Sequence, residues 1–368
     1  MSESHAVAPK RGPEPPGIPA DASGPPSLKL ATWNLEWLNA ELDKGVVKRS
    51  AEDYARLRRY ADRLAADVVA FQEVDGEEAA ARVFDPARYA FHVASDSRAE
   101  RVGFAYRRTL PVEKHADYRA LDVGSVRSGV DLTVLVGRQR VRLLAVHLKS
   151  GCFISSLTHP SNACRKLAEQ VPALEAWIDA RAAEGAPFAV LGDFNRRLFA
   201  RRDEPVWRAL DDADPPEADL WSPTEGVKAE CWGAEYSHFI DHIVLSKSAT
   251  RLFEPGSFVQ HPYDRSDAAK KKVLSDHCAL SIVLLSEPAA PAAKPGREPA
   301  DTSDEATPDA GSRAGPVKGN VTRKGKKLYH VPGCPDYDRV DINQPGERFF
   351  ATESEAKAAG WTKAGNCP

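Results

Sequence analysis

The chain has 368 residues, of which 42% are apolar and 28% are charged, and its formal net charge is −3. This length allows one large domain with an appendage, and the apolar content is sufficient for a sizeable core. The near-neutral balance excludes a global basic field and argues mildly against nucleic-acid binding, although local basic patches can still bind phosphates.

The first 27 residues are rich in proline, glycine, alanine and serine and contain no apolar run. Such a composition does not form a packed core, so we expect residues 1–27 to be a disordered leader. It lacks the apolar centre of a secretory signal, and no other stretch approaches the length of a membrane span. We therefore expect a cytoplasmic protein, or a secreted or periplasmic one if an upstream signal precedes this start.

Residues 28–286 alternate strand-like runs with helical ones, as in an α/β (α+β) domain. Apolar residues recur at helical spacing in residues 53–66 and 164–185. Three β-rich runs lie at 102–108, 129–137 and 141–151, with the sequence GRQR as a hairpin turn between the last two. Strands that meet by hairpins, with helices packed outside them, predict a sandwich of two facing sheets.

Polar side chains lie at the ends of six strand-like runs. They are Asn34 and Glu36, Glu73, His147, Asp193 and Asn195, Asp241, and Asp276 with His277. Polar groups at the mouths of buried strands are costly unless they are paired, bonded or exposed in a cleft, so we expect them to share one site. Their carboxylate and amide oxygens suit a hard cation, or a phosphate with its attacking water.

The run GDFN, residues 192–195, is the most informative of these strand ends. A short apolar strand ends in a glycine turn, and alternation along an extended chain places Asp193 and Asn195 on the same side. A Gly-Asp turn after a strand is also an ordinary structural feature. The motif therefore gains its meaning from the other strand ends.

The same residues belong to six short motifs that span residues 33–277. The motifs are WN at Trp33-Asn34, QE at Gln72-Glu73, HLKS at 147–150, GDFN at 192–195, ID at Ile240-Asp241 and SDH at 275–277. In this order they resemble the endonuclease/exonuclease/phosphatase superfamily, which includes pancreatic-type deoxyribonucleases and apurinic-site endonucleases. The resemblance implies a four-layered sandwich of two mostly antiparallel sheets flanked by helices. It also implies phosphodiester hydrolysis by metal-assisted attack of water.

The resemblance assigns the metal ligands to oxygen donors. Asn34 and Glu73, with Glu36 as a further candidate, would hold Mg²⁺, for which Mn²⁺ can substitute, and Asp276 would complete the shell. Such oxygen ligands suit a cation that polarises the phosphoryl group as a Lewis acid.

The catalytic roles follow from the same resemblance. Asp193 and Asn195 would position the nucleophilic water and the phosphate. His277 would hydrogen-bond the phosphate or take a proton from water, and Asp241 would orient its ring. His242 follows Asp241 on a strand and should point to the opposite face, in a structural role.

A second histidine distinguishes the deoxyribonuclease branch. His147 resembles this second catalytic histidine, Glu100 falls where that branch supplies its partner carboxylate, and Arg127 resembles a phosphate contact. For Glu100 and Arg127, an ordinary surface charge is an equally good interpretation.

The C-terminal part differs in composition. Residues 287–315 are dominated by proline, alanine and charge, which predicts an extended linker. Residues 316–368 regain aromatic residues and resemble a small nuclease-associated module related to the metal-binding domain of DNA-repair methyltransferases, although the closing CxxC is missing. The basic run Lys318, Arg323, Lys324, Lys326 and Lys327 would bind a phosphate backbone or form a solvated linker end.

The chain has six cysteines, which is an even number compatible with three disulfides. A chain without an export signal normally keeps its thiols reduced, and Cys152–Cys164 is the first pair expected if the compartment is oxidising. Cys334 and Cys367 would form a staple or stay free. A zinc site with His330 is a third alternative, weakened because structural zinc usually has four ligands.

These observations together predict a monomeric metal-dependent nuclease that acts on DNA rather than RNA. Sphingomyelinase-like and inositol-phosphate phosphatase-like hydrolases share the same fold and residues, so they remain alternatives. A non-catalytic nucleic-acid-binding protein on this scaffold would require a lost ligand, whereas all six motifs are present.

Overall fold

In the computed structural model the chain divides into two compact units, residues 1–290 and 291–368. The structure describes residues 17–19, 22–96, 98–124, 126–232 and 237–286, and in the second unit 317–322, 326–332, 334–337, 340, 348–350, 353–365 and 367. The predicted linker and most of the predicted leader lie outside the described residues. Residues 24–26 of that leader already make backbone hydrogen bonds to Gly137 and Ser286.

The first unit is built from strands and helices that alternate along the chain. Its strands are β1 (Ser27–Leu38), β2 (Val68–Val74), β3 (Tyr89–Val93), β4 (Arg101–Arg107), β5 (Val112–Lys114), β6 (Val130–Val136), β7 (Gln139–His147), β8 (Phe188–Asp193), β9 (Asp241–Leu245), β10 (Val259–His261) and β11 (Ala279–Leu285). Its helices are α1 (Ala51–Leu64), α2 (Gly76–Val83), α3 (Asn162–Ala183), α4 (Pro205–Leu210) and α5 (Lys247–Leu252), with short 3-10 turns at Arg119–Leu121, Pro216–Ala218 and Arg265–Lys270.

The strands form two mixed sheets. The first has the order β10-β11-β1-β2-β4-β3 and the second the order β5-β6-β7-β8-β9. Most neighbours are antiparallel, but β1 pairs with β2 and β7 pairs with β8 in parallel. Each parallel pair brings two carboxyl ends to one sheet edge, and toward those ends lie Asn34, Glu73, His147 and Asp193.

The sheets face each other, and helices cover their outer faces. Alternation along β1 places Leu28 and Leu30 in a core shared by both sheets, whereas Trp33 and Leu35 pack with α1 and α2. On the other side, α3 packs against the outer face of the second sheet. The order helix, sheet, sheet, helix confirms the predicted α+β sandwich.

Local sequence signals explain where the two main helices begin. Ser50 caps α1, and Asp53 completes a capping box with it. Ser161 accepts a hydrogen bond from the backbone N–H of Cys164 and caps α3 in the same way. The predicted helices begin two residues too late because these caps precede the apolar periodicity.

Gly192 is required by the close approach of β8 to β7. It lies at φ 150°, and a Cβ atom there would come 2.0 Å from the backbone oxygen of Val146. That distance is far below any contact between carbon and oxygen, so only glycine fits here. The glycine of GDFN is therefore a packing requirement of the sheet that presents Asp193.

All six cysteines form disulfides, so of the alternatives left open by the sequence the structure shows the oxidised one. The pairs are Cys152–Cys164, Cys231–Cys278 and Cys334–Cys367. The second pair was not predicted, since its members lie 47 residues apart without a local signal. The third pair consumes both thiols of the alternative zinc site.

The second unit has a small core of its own. Its elements are β12 (Val317–Val321), β13 (Lys327–His330), β14 (Arg348–Phe350), α6 (Glu353–Ala358) and β15 (Thr362–Lys363), and the sheet order is β14-β12-β13-β15. Val317, Tyr329, Phe350, Ala356 and Trp361 form the buried cluster. Lys318 bonds to the backbone oxygen of Tyr337, whereas Arg323 and Lys324 lie outside the described residues. Within the described part of the chain, no helix combines the length and apolar character needed to cross a bilayer.

Candidate active site

The carboxyl ends of β1, β2, β7 and β8 meet where the two sheets face each other. The Asn34 side chain connects them, because its amide donates to Glu73 Oε1 at 3.0 Å and to Asp193 Oδ2 at 3.1 Å. Asn34 is fully buried, and its Oδ1 accepts the backbone N–H of Glu36 at 2.9 Å. One amide thus fixes a carboxylate from each sheet.

Strand register aligns three of the predicted catalytic residues. His147 on β7 pairs with Asp193 on β8, and Asp193 pairs with Asp241 on β9. Their side chains emerge at one level of the sheet, because paired residues of neighbouring strands share a face. His147 Nε2 lies 3.5 Å from Asp193 Oδ2.

His277 approaches this row from the other sheet. Its Nδ1 lies 2.7 Å from Asp241 Oδ2, and its Nε2 lies 3.8 Å from Asp193 Oδ2. The second distance is too long for a hydrogen bond, so Nε2 remains able to donate to a third group. Burial lowers the pKa of His277, but the carboxylates of Asp241 and Asp193 outweigh it and hold the pKa well above its ordinary value.

Asp193 is a carboxylate with almost no access to solvent. Burial raises its pKa above the ordinary value, while the neighbouring His277 acts in the opposite direction. Its Oδ1 accepts the backbone N–H of Asn195 at 2.7 Å. A buried carboxylate beside an imidazolium is the arrangement expected of a group that receives or holds a proton.

Asn195 does not follow the alternation that predicted its direction. The strand ends at Asp193, and Asn195 has a left-handed backbone with φ 50°. Its amide donates to the backbone oxygen of Leu148 at 3.1 Å, so the side chain ties the turn to the end of β7. The extended-chain argument was wrong here, because the chain turns directly after Asp193.

Further carboxylates lie near Asn34. Glu36 Oε2 accepts the backbone N–H of Asp276 at 2.9 Å, and Glu73 Oε2 accepts the backbone N–H of Trp37 at 3.2 Å. Burial, with the negative charge of Asp276 added, raises the pKa of Glu36 to about 7. The neighbouring carboxylates of Glu36, Glu73 and Asp276 could bind a hard cation, which would remove their mutual repulsion.

Two groups of side chains could hold a metal ion in the first unit. Asp193, Asp241 and His277 have donor atoms within 4.8 Å of one another, which makes them the compact group among its described residues. Glu36, Glu73 and Asp276 form the other group, which offers only the oxygen donors that a hard cation prefers. Its members are not brought together as closely, and Asp276 Oδ1 also lies 3.7 Å from His277 Nε2.

His147 has a different partner from the one predicted. Arg127 Nη2 lies 3.1 Å from His147 Nε2, and Glu100 Oε2 lies 3.3 Å from Arg127 Nη1. Glu100 thus pairs with Arg127 and not directly with the histidine. Burial, reinforced by Arg127, lowers the pKa of His147 well below its ordinary value, so the ring is neutral.

Arg49 is a site residue that sequence reasoning missed. Its guanidinium is fully buried and donates to the backbone oxygens of two segments. The acceptors are Leu35, Glu36, Trp37, Val273 and Leu274, at 2.7 to 3.3 Å. These segments carry Glu36 and directly precede Asp276, so Arg49 fastens both together. No local pattern distinguishes this arginine in the sequence.

Backbone strain accompanies these contacts. Glu36, Trp37, Glu73 and Asn195 all have positive φ, between 44° and 59°. A left-handed conformation is costly for such residues and persists only where surrounding contacts enforce it. Arg49 and Asn34 hydrogen bonds hold Glu36, Trp37 and Glu73, and bonds to Asp193 and Leu148 hold Asn195.

Solved structures provide an independent comparison of the fold. Truncated TDP2 from Caenorhabditis elegans matches with a TM-score of 0.50 and 17% identity over 71% of this chain and 98% of that chain. Humanized D. rerio TDP2 matches with a TM-score of 0.50 and 18% identity over 71% of this chain and 99% of that chain. The human Nocturnin catalytic domain has a TM-score of 0.47 and 16% identity over 72% of this chain and 97% of that chain.

Sequence comparison identifies the family. No curated protein matches the chain. Residues 31–277 match the Endonuclease/Exonuclease/phosphatase family, and they contain the whole site described above. Because this match covers more than half of the sequence, the chain belongs to the Endonuclease/Exonuclease/phosphatase family.

Proposed function

We propose that this member of a phosphoester hydrolase family is a divalent-metal-dependent nuclease that acts on DNA in preference to RNA. The observation that carries the proposal is the position of Asp193 between the His277–Asp241 pair and the Asn34–Glu73 pair. A phosphoryl group there would have an acid, a base and a set of oxygen ligands around it. These are the three functions that phosphodiester hydrolysis requires.

Asp193 and His277 would share the proton transfers. The Asp193 carboxylate, held by Asn34 and by the backbone N–H of Asn195, would orient the attacking water and accept its proton. His277, charged because of Asp241, would donate from Nε2 to a phosphoryl oxygen. Asp241 would hold the ring orientation, as a carboxylate does behind a catalytic histidine.

The metal would be Mg²⁺, or Mn²⁺ in its place. Glu73, Glu36 and Asp276 are the residues that would hold it, with Asn34 fixing the Glu73 carboxylate. When bound, the ion would polarise a phosphoryl oxygen as a Lewis acid. Asp276 has a half-exposed side chain and would close the site from the solvent side.

Arg127 would bind the substrate, and His147 and Glu100 would position Arg127. Arg127 donates to the neutral ring of His147 and is held by Glu100, so the three form one chain of contacts beside Asp193. The guanidinium would bind a nonbridging phosphate oxygen, since arginine matches phosphate geometry. His147 would hold Arg127 in that position.

Substrate comparison tests the proposal directly. Purified full-length protein is incubated with bis(p-nitrophenyl) phosphate, single-stranded and duplex DNA, RNA, sphingomyelin and inositol phosphates, each with Mg²⁺ and with EDTA. We expect Mg²⁺-dependent cleavage of DNA and of the chromogenic diester. Preference for sphingomyelin or inositol phosphates would replace the nuclease assignment, and full activity in EDTA would refute metal dependence.

A matched pair of variants separates metal binding from folding. Glu73→Gln removes a ligand charge in the site, whereas Glu78→Gln makes the same change at an exposed position on α2. We expect the first variant to lose Mg²⁺ affinity in a calorimetric titration while retaining its thermal midpoint. The second should match the wild type in both measurements.

A further inference from the structure

A loop beside the site exposes two apolar side chains. The chain leaves β7 at His147 and reaches α3 at Asn162, and Cys152 and Cys164 close the loop between these elements with a disulfide. At its tip, Phe153 is 38% exposed and Ile154 is 41% exposed. Adjacent exposed apolar side chains carry a solvation cost that a binding partner would remove.

This loop is fixed against the chain that follows Asn195. The backbone N–H of Arg197 donates to the Phe153 oxygen at 3.0 Å. Arg196, fully buried against Glu204, donates to the backbone oxygens of Cys152 and Ser155 at 2.7 Å. With the disulfide, these contacts preorganise Phe153 and Ile154 next to the turn that contains Asn195.

The two segments carry only positive charge. Residues 149–168 and 194–202 contain no aspartate or glutamate, whereas the whole chain has a net charge of −3. Arg196 is buried in its ion pair with Glu204, so the remaining cations are Lys149, Arg165, Lys166, Arg197, Arg201 and Arg202. Arg201 donates to the Ile154 oxygen, and Arg165 and Arg202 are exposed. An apolar tip surrounded by cations is complementary to bases attached to a phosphate backbone.

We propose that this loop binds the unpaired bases of a nucleic-acid strand beside the scissile bond, with Phe153 as the stacking surface. The inference rests on the proposed function and specifies its substrate class, single-stranded segments over intact duplex. Stacking on an aromatic ring within a basic groove is the general mode of single-strand binding, and it tolerates any base. In a duplex the bases are already stacked on each other and would not be available to Phe153.

Binding is measured without catalysis to keep this inference separate from the nuclease assignment. Full-length protein in EDTA is titrated into a fluorescent single-stranded oligodeoxynucleotide, a blunt duplex, and phosphatidylserine-containing vesicles. We expect Phe153→Ala/Ile154→Ala to raise the Kd for the single strand at least about fivefold, as expected when base stacking is removed. The Kd for the duplex should change little, and Phe153→Trp should retain single-strand binding.

The control variant is Leu285→Ala. Leu285 is 40% exposed but lies at the far end of β11 from His277, so it should leave single-strand binding unchanged. The thermal midpoints of both variants should match the wild type, which shows that the change in binding does not come from misfolding. An unchanged single-strand Kd in the Phe153→Ala/Ile154→Ala variant, or an equal loss of single-strand binding in Leu285→Ala, would overturn the proposal.

Salt dependence tests the charged part of the same surface. Arg202→Gln should lower the slope of log Kd against log salt by about 0.7, the value for one phosphate of a single strand. Arg138 is exposed in the turn before β7, at the other end of that strand from the loop. Arg138→Gln should therefore leave the slope unchanged. Equal slopes for both variants, or loss of vesicle binding with nucleic-acid binding unchanged, would assign the surface to another partner.

Discussion

The hydrogen bond between His277 and Asp241 joins the two sheets at the reacting position. If Asp241 orients the ring, His277→Ala and Asp241→Asn should each lower kcat by at least about 10²-fold, in the range of lost acid–base catalysis. The double variant should lower kcat by much less than the product of the two single effects, because the effects of residues that act as a unit are not additive. A double-mutant cycle at saturating Mg²⁺ measures this coupling.

Independent effects would contradict that role for Asp241. If Asp241 only ligated a metal ion, the effects of the two substitutions on kcat would multiply. High Mg²⁺ would then partly restore the activity of Asp241→Asn. Asp241→Asn keeps the size of the side chain, so folding should be preserved. Thermal midpoints of all three variants provide the control.

His242 lies beside Asp241 but belongs to the fold, as the strand pattern predicted. It is buried between Phe194 and Phe199, contacts the Thr224 hydroxyl at 2.7 Å and the Arg196 oxygen at 3.0 Å, and burial lowers its pKa to about 4 from 6.5. Between these pH values only the unfolded chain binds the proton, so the stability that His242 contributes is present above pH 6.5 and is lost as pH falls toward 4.

Chemical denaturation across this pH window checks the sign. We expect the wild type to lose up to about 1.4 kcal/mol of unfolding free energy per pH unit through this residue. His242→Gln should have a correspondingly shallower slope, while His159→Gln, at an exposed position, should not. A slope that is unchanged in the His242 variant would show that its ring is already protonated in the folded state.

Several residue positions could be predicted from the sequence and others could not. The structure brings the polar residues at the strand ends close together, since buried apolar runs must terminate at sheet edges. Alternation failed at Asn195 because a left-handed turn follows Asp193. The partner of Glu100 also could not be predicted, because a contact between separate strands leaves no local pattern.

At the scale of elements, Arg49 connects the end of β1 to the segment before β11. We expect Arg49→Lys to raise the half-saturating Mg²⁺ concentration about tenfold, since lysine cannot reproduce the five-donor fork that holds both segments. High Mg²⁺ should recover part of the activity. The measurement is the initial rate on the chromogenic diester as a function of Mg²⁺ concentration.

Arg142→Lys is the matched control for this change. Arg142 pairs with Asp131, which also accepts a hydrogen bond from Trp177 on the outer face of the second sheet. Arg142→Lys should therefore lower the stability of the fold without changing the Mg²⁺ dependence. A fall in thermal midpoint is expected of both variants. Only the Arg49 variant should change the Mg²⁺ dependence, and an equal dependence in both would leave Arg49 with a purely structural role.

Helices and strands could be predicted within a few residues because their signals are local. Capping residues and apolar periodicity define α1 and α3, and alternation defines β1. The pairing Cys231–Cys278 depends instead on tertiary structure that brings two distant loops together. The sandwich itself could be expected because alternating faces require cover on both sides.

At the scale of the molecule, the chain separates into a unit with the whole site and a unit with its own core. Removal of residues 291–368 should therefore leave kcat on the chromogenic diester unchanged. It should weaken binding to long DNA and reduce the salt slope by about one for each phosphate that the truncated chain no longer binds. Filter binding at several salt concentrations, with the full-length chain beside it, measures this.

Unchanged DNA affinity and salt dependence would assign the second unit another role. Loss of chromogenic activity would instead show that the first unit needs the second one. The basic residues of this unit supply the motivation, although Lys318 already bonds within its own fold. Lys326 and Lys327 remain exposed on its surface.

The disulfide that includes Cys278 has a consequence at the bench. Cys278 directly follows His277, and its partner Cys231 belongs to a different loop. A thiol reductant, added to many assay buffers as a routine preservative, would release the residue next to the candidate acid. The reduced and the disulfide-bonded protein would then differ at the active site. An assay that finds no activity in the presence of reductant would therefore not describe the disulfide-bonded protein.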